Sequence, residues 1–206
     1  MTSSPTPIQP LPAKPLALTC HPATPCPLDL QLSVSLAAAG SETGAGWLLH
    51  YRITGDTAGL LVPPPRVPGP ADGLWQHSCF EAFVSAASST QAGADSREAY
   101  SEFNWSPSGQ WAGYRFAGER QRDTSPAPDL PAPAMQLAIT PTCLTLDVHL
   151  PLAALPSPAQ NFALALCAVI EEHDGRLSYW ALQHPQARPD FHHPAGRSLR
   201  LALPAN

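Results

Sequence analysis

Prolines interrupt this chain at short, irregular intervals, and that spacing limits what it can fold into. There are 26 of them in 206 residues. They gather in clusters such as HPATPCP (21–27), LLVPPPRVPGP (60–70) and SPAPDLPAPA (125–134). Proline has no backbone donor and breaks helix interiors, whereas turns and sheet edges accept it. No convincing long helix fits between the clusters. The runs that do fit alternate apolar and polar residues.

The clearest of these runs is LDLQLSVSL (28–36), with Leu28, Leu30, Leu32, Val34 and Leu36 on one face and polar residues on the other. That period of two marks a half-buried antiparallel strand. WLLHYRITGD (47–56) repeats it, with Trp47, Leu49, Tyr51 and Ile53 on one side and His50 and Arg52 on the other. Shorter strands are expected over 16–20, 135–139, 144–150 and 198–203. NFALALCAVIEE (161–172) is rich in alanine, but Phe162, Leu164, Leu166, Ala168 and Ile170 alternate as in a strand. HDGR (173–176) then turns the chain into a return strand, LSYWAL (177–182). The prediction is an all-β fold, an antiparallel two-sheet β-sandwich, as one domain over residues 16–206 behind a disordered Pro-rich leader, 1–15.

Charge and cysteine content narrow the function classes. The net charge of −5 comes without a basic stripe, so nucleic acid is not an expected partner. No apolar run reaches the roughly 18 residues that a membrane-spanning helix needs. The first residues have neither a basic nor an apolar segment of signal-peptide type, so a soluble, cytoplasmic protein is expected. The five cysteines lack CxxC spacing and read as small core residues.

The richest stretch is 75–116. In Trp75–Val84 one parity carries Trp75, His77, Cys79, Glu81 and Phe83, and the other carries Phe80, Ala82 and Val84. The Ser/Ala/Gly-rich segment 85–98 is expected to be a mobile loop. YSEFNWSPSGQWAGYRF (100–116) reads as a hairpin. Pro107 suits the second position of a type I turn, and Gly109 suits the left-handed residue of a bulged three-residue loop. That register sets Trp105 opposite Trp111, Asn104 opposite Ala112 and Glu102 opposite Tyr114. Glu102, Asn104 and Tyr114 then share one face.

LWQHSCFEAFVS followed by YSEFNWSPSGQW resembles the strand pair of DOMON-like domains related to the family 9 carbohydrate-binding modules. The likeness rests on Trp75, on Glu81-Ala82-Phe83-Val84, and on Tyr100, Phe103, Asn104 and Gly109. The end of the chain, SYWALQHPQARPDFHHPAGRSLRLAL, is similar to the family's closing segment. The resemblance implies an antiparallel β-sandwich whose aromatic side chains clamp a sugar while acids, Arg and Asn bind its hydroxyls. In other DOMON relatives the same cavity holds haem. One departure is Ser78, at a position where the family often has an aspartate.

These residue types fit the chemistry of sugar binding. Flat apolar faces stack on C–H groups, and carboxylate or amide groups match vicinal hydroxyls. The expected function is a noncatalytic module that binds a small ligand, most readily a saccharide, with no cofactor. The candidate ligand-binding residues are Arg52, Trp75, His77, Glu81, Glu102, Asn104, Tyr114, Trp180 and His192. Arg52 is the first candidate partner for Glu81. The binding face is expected to be rimmed by Trp75, Trp180 and the 183–197 loop. The motifs GxSxG, GxGxxG and the P-loop are absent.

Three other readings stay open. Haem ligation would need a pair of His or Met residues, for instance His77 with His192 or His193, or Met135. A metal site would draw on His184, Asp190, His192 and His193, although prolines forbid helical spacing there. A structural or interaction domain without a ligand would leave Glu81 and Glu102 on a solvated sheet.

Overall fold

A computed structural model describes residues 14–39, 45–87, 98–124, 131–156, 159 and 161–202. Nearly all of the expected leader, and residues 88–97 of the expected mobile loop, lie outside the described residues.

Thirteen strands and no α-helix make up the described chain. The first sheet has the order β1 (Leu16–Cys20), β2 (Leu30–Ala39), β3 (Gly46–Gly55), β10 (Cys143–Pro151) and β9 (Ala134–Thr140). The second runs β4 (Gly69–Pro70), β7 (Gln110–Gly118), β6 (Tyr100–Trp105), β5 (Cys79–Ala86), β11 (Asn161–Glu171), β12 (Leu177–Ala181) and again β1. Strand β1 belongs to both sheets, since Leu16–Leu18 pair with β2 while Thr19 and Cys20 pair with β12. At the other end of β11, β13 (Leu199–Ala202) pairs beside Asn161–Leu164. The two-residue β8 (Gln121–Arg122) edges β7. Apart from β4 on β7, every pairing is antiparallel.

The alternation read from the sequence settles which side of each strand is inside. Val34, Leu49, Tyr51, Ile53, Leu144, Leu146 and Val148 turn inward from the first sheet. Phe80, Ala82, Val84, Phe103, Trp105, Leu164, Leu166 and Ala168 meet them from the second. Tyr51 packs against Phe80 with ring centroids 5.0 Å apart, and Trp47 meets Phe162 edge-on at 5.2 Å. Each fully buried large side chain of this kind contributes roughly 1.5–3 kcal/mol of transfer free energy.

Strand β11 is buried on both faces, with only Asn161 exposed. Its inward residues join the main core. Its outward ones, Ala165 and Cys167, join Phe83, Tyr100, Tyr114 and Phe116 in a second apolar cluster. This double burial explains an alanine-rich strand that could pass for a helix.

The 100–116 hairpin has the predicted register, with Trp105 opposite Trp111, Asn104 opposite Ala112 and Glu102 opposite Tyr114. Gly109 takes φ 90°, in the left-handed region that a side chain disfavours. Its N–H donates to the Ser106 carbonyl at 3.0 Å, and the Ser106 N–H donates to Gln110 at 2.9 Å. The expected strand at 75–84 starts later. Leu74–Gln76 form one 3-10 turn, and the strand begins at Cys79. All five cysteines are free thiols. No helix among the described residues is long and apolar enough to cross a membrane.

Candidate functional site

The outward face of the second sheet carries Glu81 from β5, Glu102 and Asn104 from β6, and Tyr114 and Phe116 from β7. The 183–197 loop folds back over this face and brings Asp190, Phe191 and His192 to it. Between sheet and loop lies a cavity of about 420 Å³. Trp75, delivered by the 3-10 turn ahead of β5, walls one side, with its ring edge-on to Tyr114 at 5.7 Å. Phe83, Phe116, Tyr179 and Phe191 supply the other apolar surfaces.

Two acids lie in the floor. Glu81 is 2% exposed, and its Oε1 has no hydrogen-bond partner among the described residues. Burial, reinforced by the neighbouring Glu102 charge, pushes its carboxyl well above the usual carboxylate range. Glu102 accepts a 2.7 Å hydrogen bond from the Asn104 amide nitrogen at Oε1. Burial raises Glu102 to about 7, against the lowering influence of that bond and of Arg122 and Arg120. Asn104 is fully buried, and its Oδ1 faces the Cys79 thiol at 3.5 Å.

His192 closes the far side. Its Nδ1 lies 2.7 Å from the Tyr100 hydroxyl, which also accepts the Arg120 N–H at 3.2 Å. The His192 Nε2 lies 3.8 Å from Glu102 Oε2. Burial, with Arg120 nearby, lowers His192 to about 4, so the ring is neutral near pH 7. Burial also raises the Tyr100 hydroxyl, to about 12.

Two arginines stand at the mouth. The Arg120 guanidinium donates to Asp190 at 2.8 Å. Arg122 lies 4.2 Å above the Tyr114 ring and 3.9 Å from Asp72, which accepts the Tyr114 hydroxyl proton. A third arginine, Arg197, is 3% exposed and ties the loop down. It donates to Ser85 Oγ, Glu98 and the His192 carbonyl at 3.2, 3.3 and 3.4 Å, with its guanidinium 4.7 Å above the Tyr100 ring.

The structure thus brings Trp75, Glu81, Glu102, Tyr114 and His192 to one cavity, with Asn104 buried among them. Three candidates stand elsewhere. Arg52 projects from the solvent face of the first sheet, the side opposite Tyr51, and does not reach Glu81. It is Tyr51 that approaches Glu81, its hydroxyl donating to the backbone carbonyl at 2.9 Å. Trp180 is 6% exposed and points into the main core, where its Nε1 donates to Ser178 Oγ at 3.0 Å. Its neighbour Tyr179 has the opposite parity and lines the cavity instead. His77 pairs with Glu171 at 2.8 Å in a separate cleft of about 630 Å³ beyond Trp75. Ser78, in the position where the resemblance led to an aspartate, hydrogen-bonds Leu61 and Glu171 backbone groups at 3.0 Å.

Of the residues weighed for haem or metal, Asp190 and His192 line the same cavity, while His77, His184 and His193 lie apart from it. His77 and His192 line different cavities. His184 lies 2.7 Å from the Thr19 carbonyl, and His193 caps the 194–196 turn by accepting from the Ala195 N–H. Among the described residues no three His, Cys, Asp or Glu side chains are grouped as metal ligands.

Comparison with solved structures finds a similar fold elsewhere. A family 9 carbohydrate-binding module from Caldicellulosiruptor kristjanssonii, in complex with cellotriose, matches 93% of this chain and 82% of its own, with a TM-score of 0.51 at 9% identity. A complex of such a module with glucose covers 92% of this chain and 84% of its own, at 8% identity and a TM-score of 0.47. The fold is that of a family 9 carbohydrate-binding module. No protein-family model matches the chain, and no curated protein does. In a module-like sandwich of this kind, sequence reasoning missed Arg120, Arg122 and Phe191, and named Asp190 only as a candidate metal ligand. Arg122 lies in the two-residue β8 and the others in irregular segments, and only the tertiary path brings them to the cavity. The signal that was available is the density of charge and aromatic residues in 118–122 and 189–193.

Proposed function

We propose that the protein is a noncatalytic binding module that holds a saccharide in the cavity between the second sheet and the 183–197 loop. The observation that carries this reading is the composition of that cavity. Trp75 and five Phe or Tyr rings line it, while Glu81 and Glu102 lie in its floor, the Glu81 Oε1 without a partner among the described residues. A sugar ring has apolar C–H faces and a polar rim of hydroxyls. Aromatic walls suit the faces, and buried carboxyl groups suit the rim. The fold adds support, because the structurally similar module of Caldicellulosiruptor kristjanssonii is in complex with cellotriose. The order of motifs around Trp75, Glu81 and Asn104 supports a wider kinship with DOMON-like domains.

Tryptophan emission tests the proposal. Trp75 is 38% exposed and lies on the cavity wall, so a bound sugar changes its surroundings. Titration with glucose, cellobiose and cellotriose is expected to give a saturable change that Trp75→Ala abolishes. No saturable response to any of these and to a broader saccharide panel overturns the reading.

A further inference from the structure

The floor of the cavity is more acidic than a neutral sugar needs. Glu81 and Glu102 are diagonal neighbours across the β5–β6 ladder, since Glu81 pairs with Asn104 and Glu102 with Phe83. Both are at least 95% buried, and the described residues give Glu81 no ion pair and its Oε1 no hydrogen bond. Asn104 satisfies one oxygen of Glu102, and the facing His192 is uncharged. The arginines of the cavity do not fill this gap. Their side chains are about half exposed, 59% for Arg120 and 48% for Arg122, and they engage Asp190 and Asp72 at the mouth. A buried carboxyl pair without an internal cation lies beneath aromatic rings, which attract positive charge through their faces.

The geometry points to a ligand that carries a cationic nitrogen, with an amino sugar as the saccharide of choice. This inference rests on the saccharide reading above and names the class of sugar. The ammonium group sits against Glu81 and Glu102, gives Glu81 the partner it lacks, and displaces to solvent any proton the pair holds. The ring stacks on Trp75, and its remaining hydroxyls reach the mouth. Neutral sugars bind without that contribution. N-acetylation removes the charge and with it the advantage.

Calorimetric titration with glucosamine, glucose, N-acetylglucosamine and tetramethylammonium separates the possibilities. Glucosamine is expected to bind at least about tenfold more tightly than glucose or N-acetylglucosamine, as a buried charge pair provides. Glu81→Gln is expected to erase that preference, so that glucosamine and glucose bind with similar affinity. Burial pushes the Glu81 carboxyl well above the usual carboxylate range, so the isosteric, uncharged amide is a close mimic. Glu102→Gln serves as the second variant, and thermal unfolding of both verifies that they fold. Equal affinity for glucosamine and glucose, or a preference that survives both substitutions, overturns the cationic assignment and leaves the saccharide reading standing. Tetramethylammonium binding where no sugar binds supports the charge and overturns the saccharide. Failure of every probe overturns both.

Discussion

Asn104 stands directly across the β5–β6 ladder from Glu81, yet it gives its amide hydrogen to Glu102, 2.7 Å away on its own strand. The two acids of the floor are therefore unequal. Glu102 is held by Asn104 and rises to about 7, whereas burial pushes Glu81, which has no such donor, well above the usual carboxylate range. Burial pushes both carboxyl groups up, but only Glu102 has an internal donor, and this asymmetry has measurable consequences.

The first concerns stability and pH. Between the ordinary value of 4.5 and the folded value of about 7, native Glu102 holds a proton that the unfolded chain has released. The native state then binds more protons, so this group's contribution to stability falls as the pH rises through that window. His192 works in the opposite sense. Its folded value of about 4 lies below the ordinary 6.5, so its contribution is lost as the pH falls between them. Glu102→Gln removes only the first effect. The Tm of this variant relative to wild type is expected to climb by several degrees from about pH 5 to about pH 7.5. A difference that does not change with pH contradicts the assignment.

The second separates the two tryptophans that the sequence placed together. Trp180→Ala opens the core and is expected to cost roughly 3–5 kcal/mol. Trp75→Ala removes a half-exposed ring and is expected to change stability by less than about 1 kcal/mol. Urea unfolding of both variants checks the contrast, and equal losses would contradict it.

That pair also shows how far the sequence can be read. The core set Phe80, Ala82, Val84, Phe103 and Trp105 was legible because alternation fixes the face of a strand once one neighbour is placed. The hairpin register was legible because Ser106–Gly109 specify their turn locally. In LSYWAL the two parities are nearly equal in hydrophobicity, so nothing local says that Tyr179 and not Trp180 faces outward. Arg52 failed as a partner for Glu81 for a different reason. Its own parity was right, but β3 presents Tyr51 and not Arg52 to the second sheet. The loops that complete the site act over long sequence separations and carry no period.

A third prediction concerns Arg197, whose four contacts tie the loop to the sheet. Arg197→Ala leaves those acceptors without their donor and is expected to cost on the order of 3 kcal/mol. The His192 amide, which donates to Asp190 at 3.1 Å, is then expected to exchange its hydrogen faster than in wild type. Unchanged exchange at residues 190–193 would show that the loop is held by other contacts.

Tyr51 links the two sheets beneath the site. Tyr51→Phe removes the donor to the buried Glu81 carbonyl and is expected to destabilise by about 1–2 kcal/mol, while the ring packing on Phe80 stays. Chemical denaturation measures it, and a neutral substitution would mean that the carbonyl finds another partner.

The central claim is that a saccharide binds against Trp75 on the outward face of the second sheet. Indole N–H resonances of the five tryptophans report on it separately, because Trp47, Trp105 and Trp180 are buried in the sandwich core. Titration with glucosamine and with cellotriose, followed by two-dimensional NMR, is the most direct measurement. A saturable shift centred on Trp75 is expected, with the core indoles nearly still. Saturation that leaves Trp75 unmoved, or no shift with any saccharide, would contradict it.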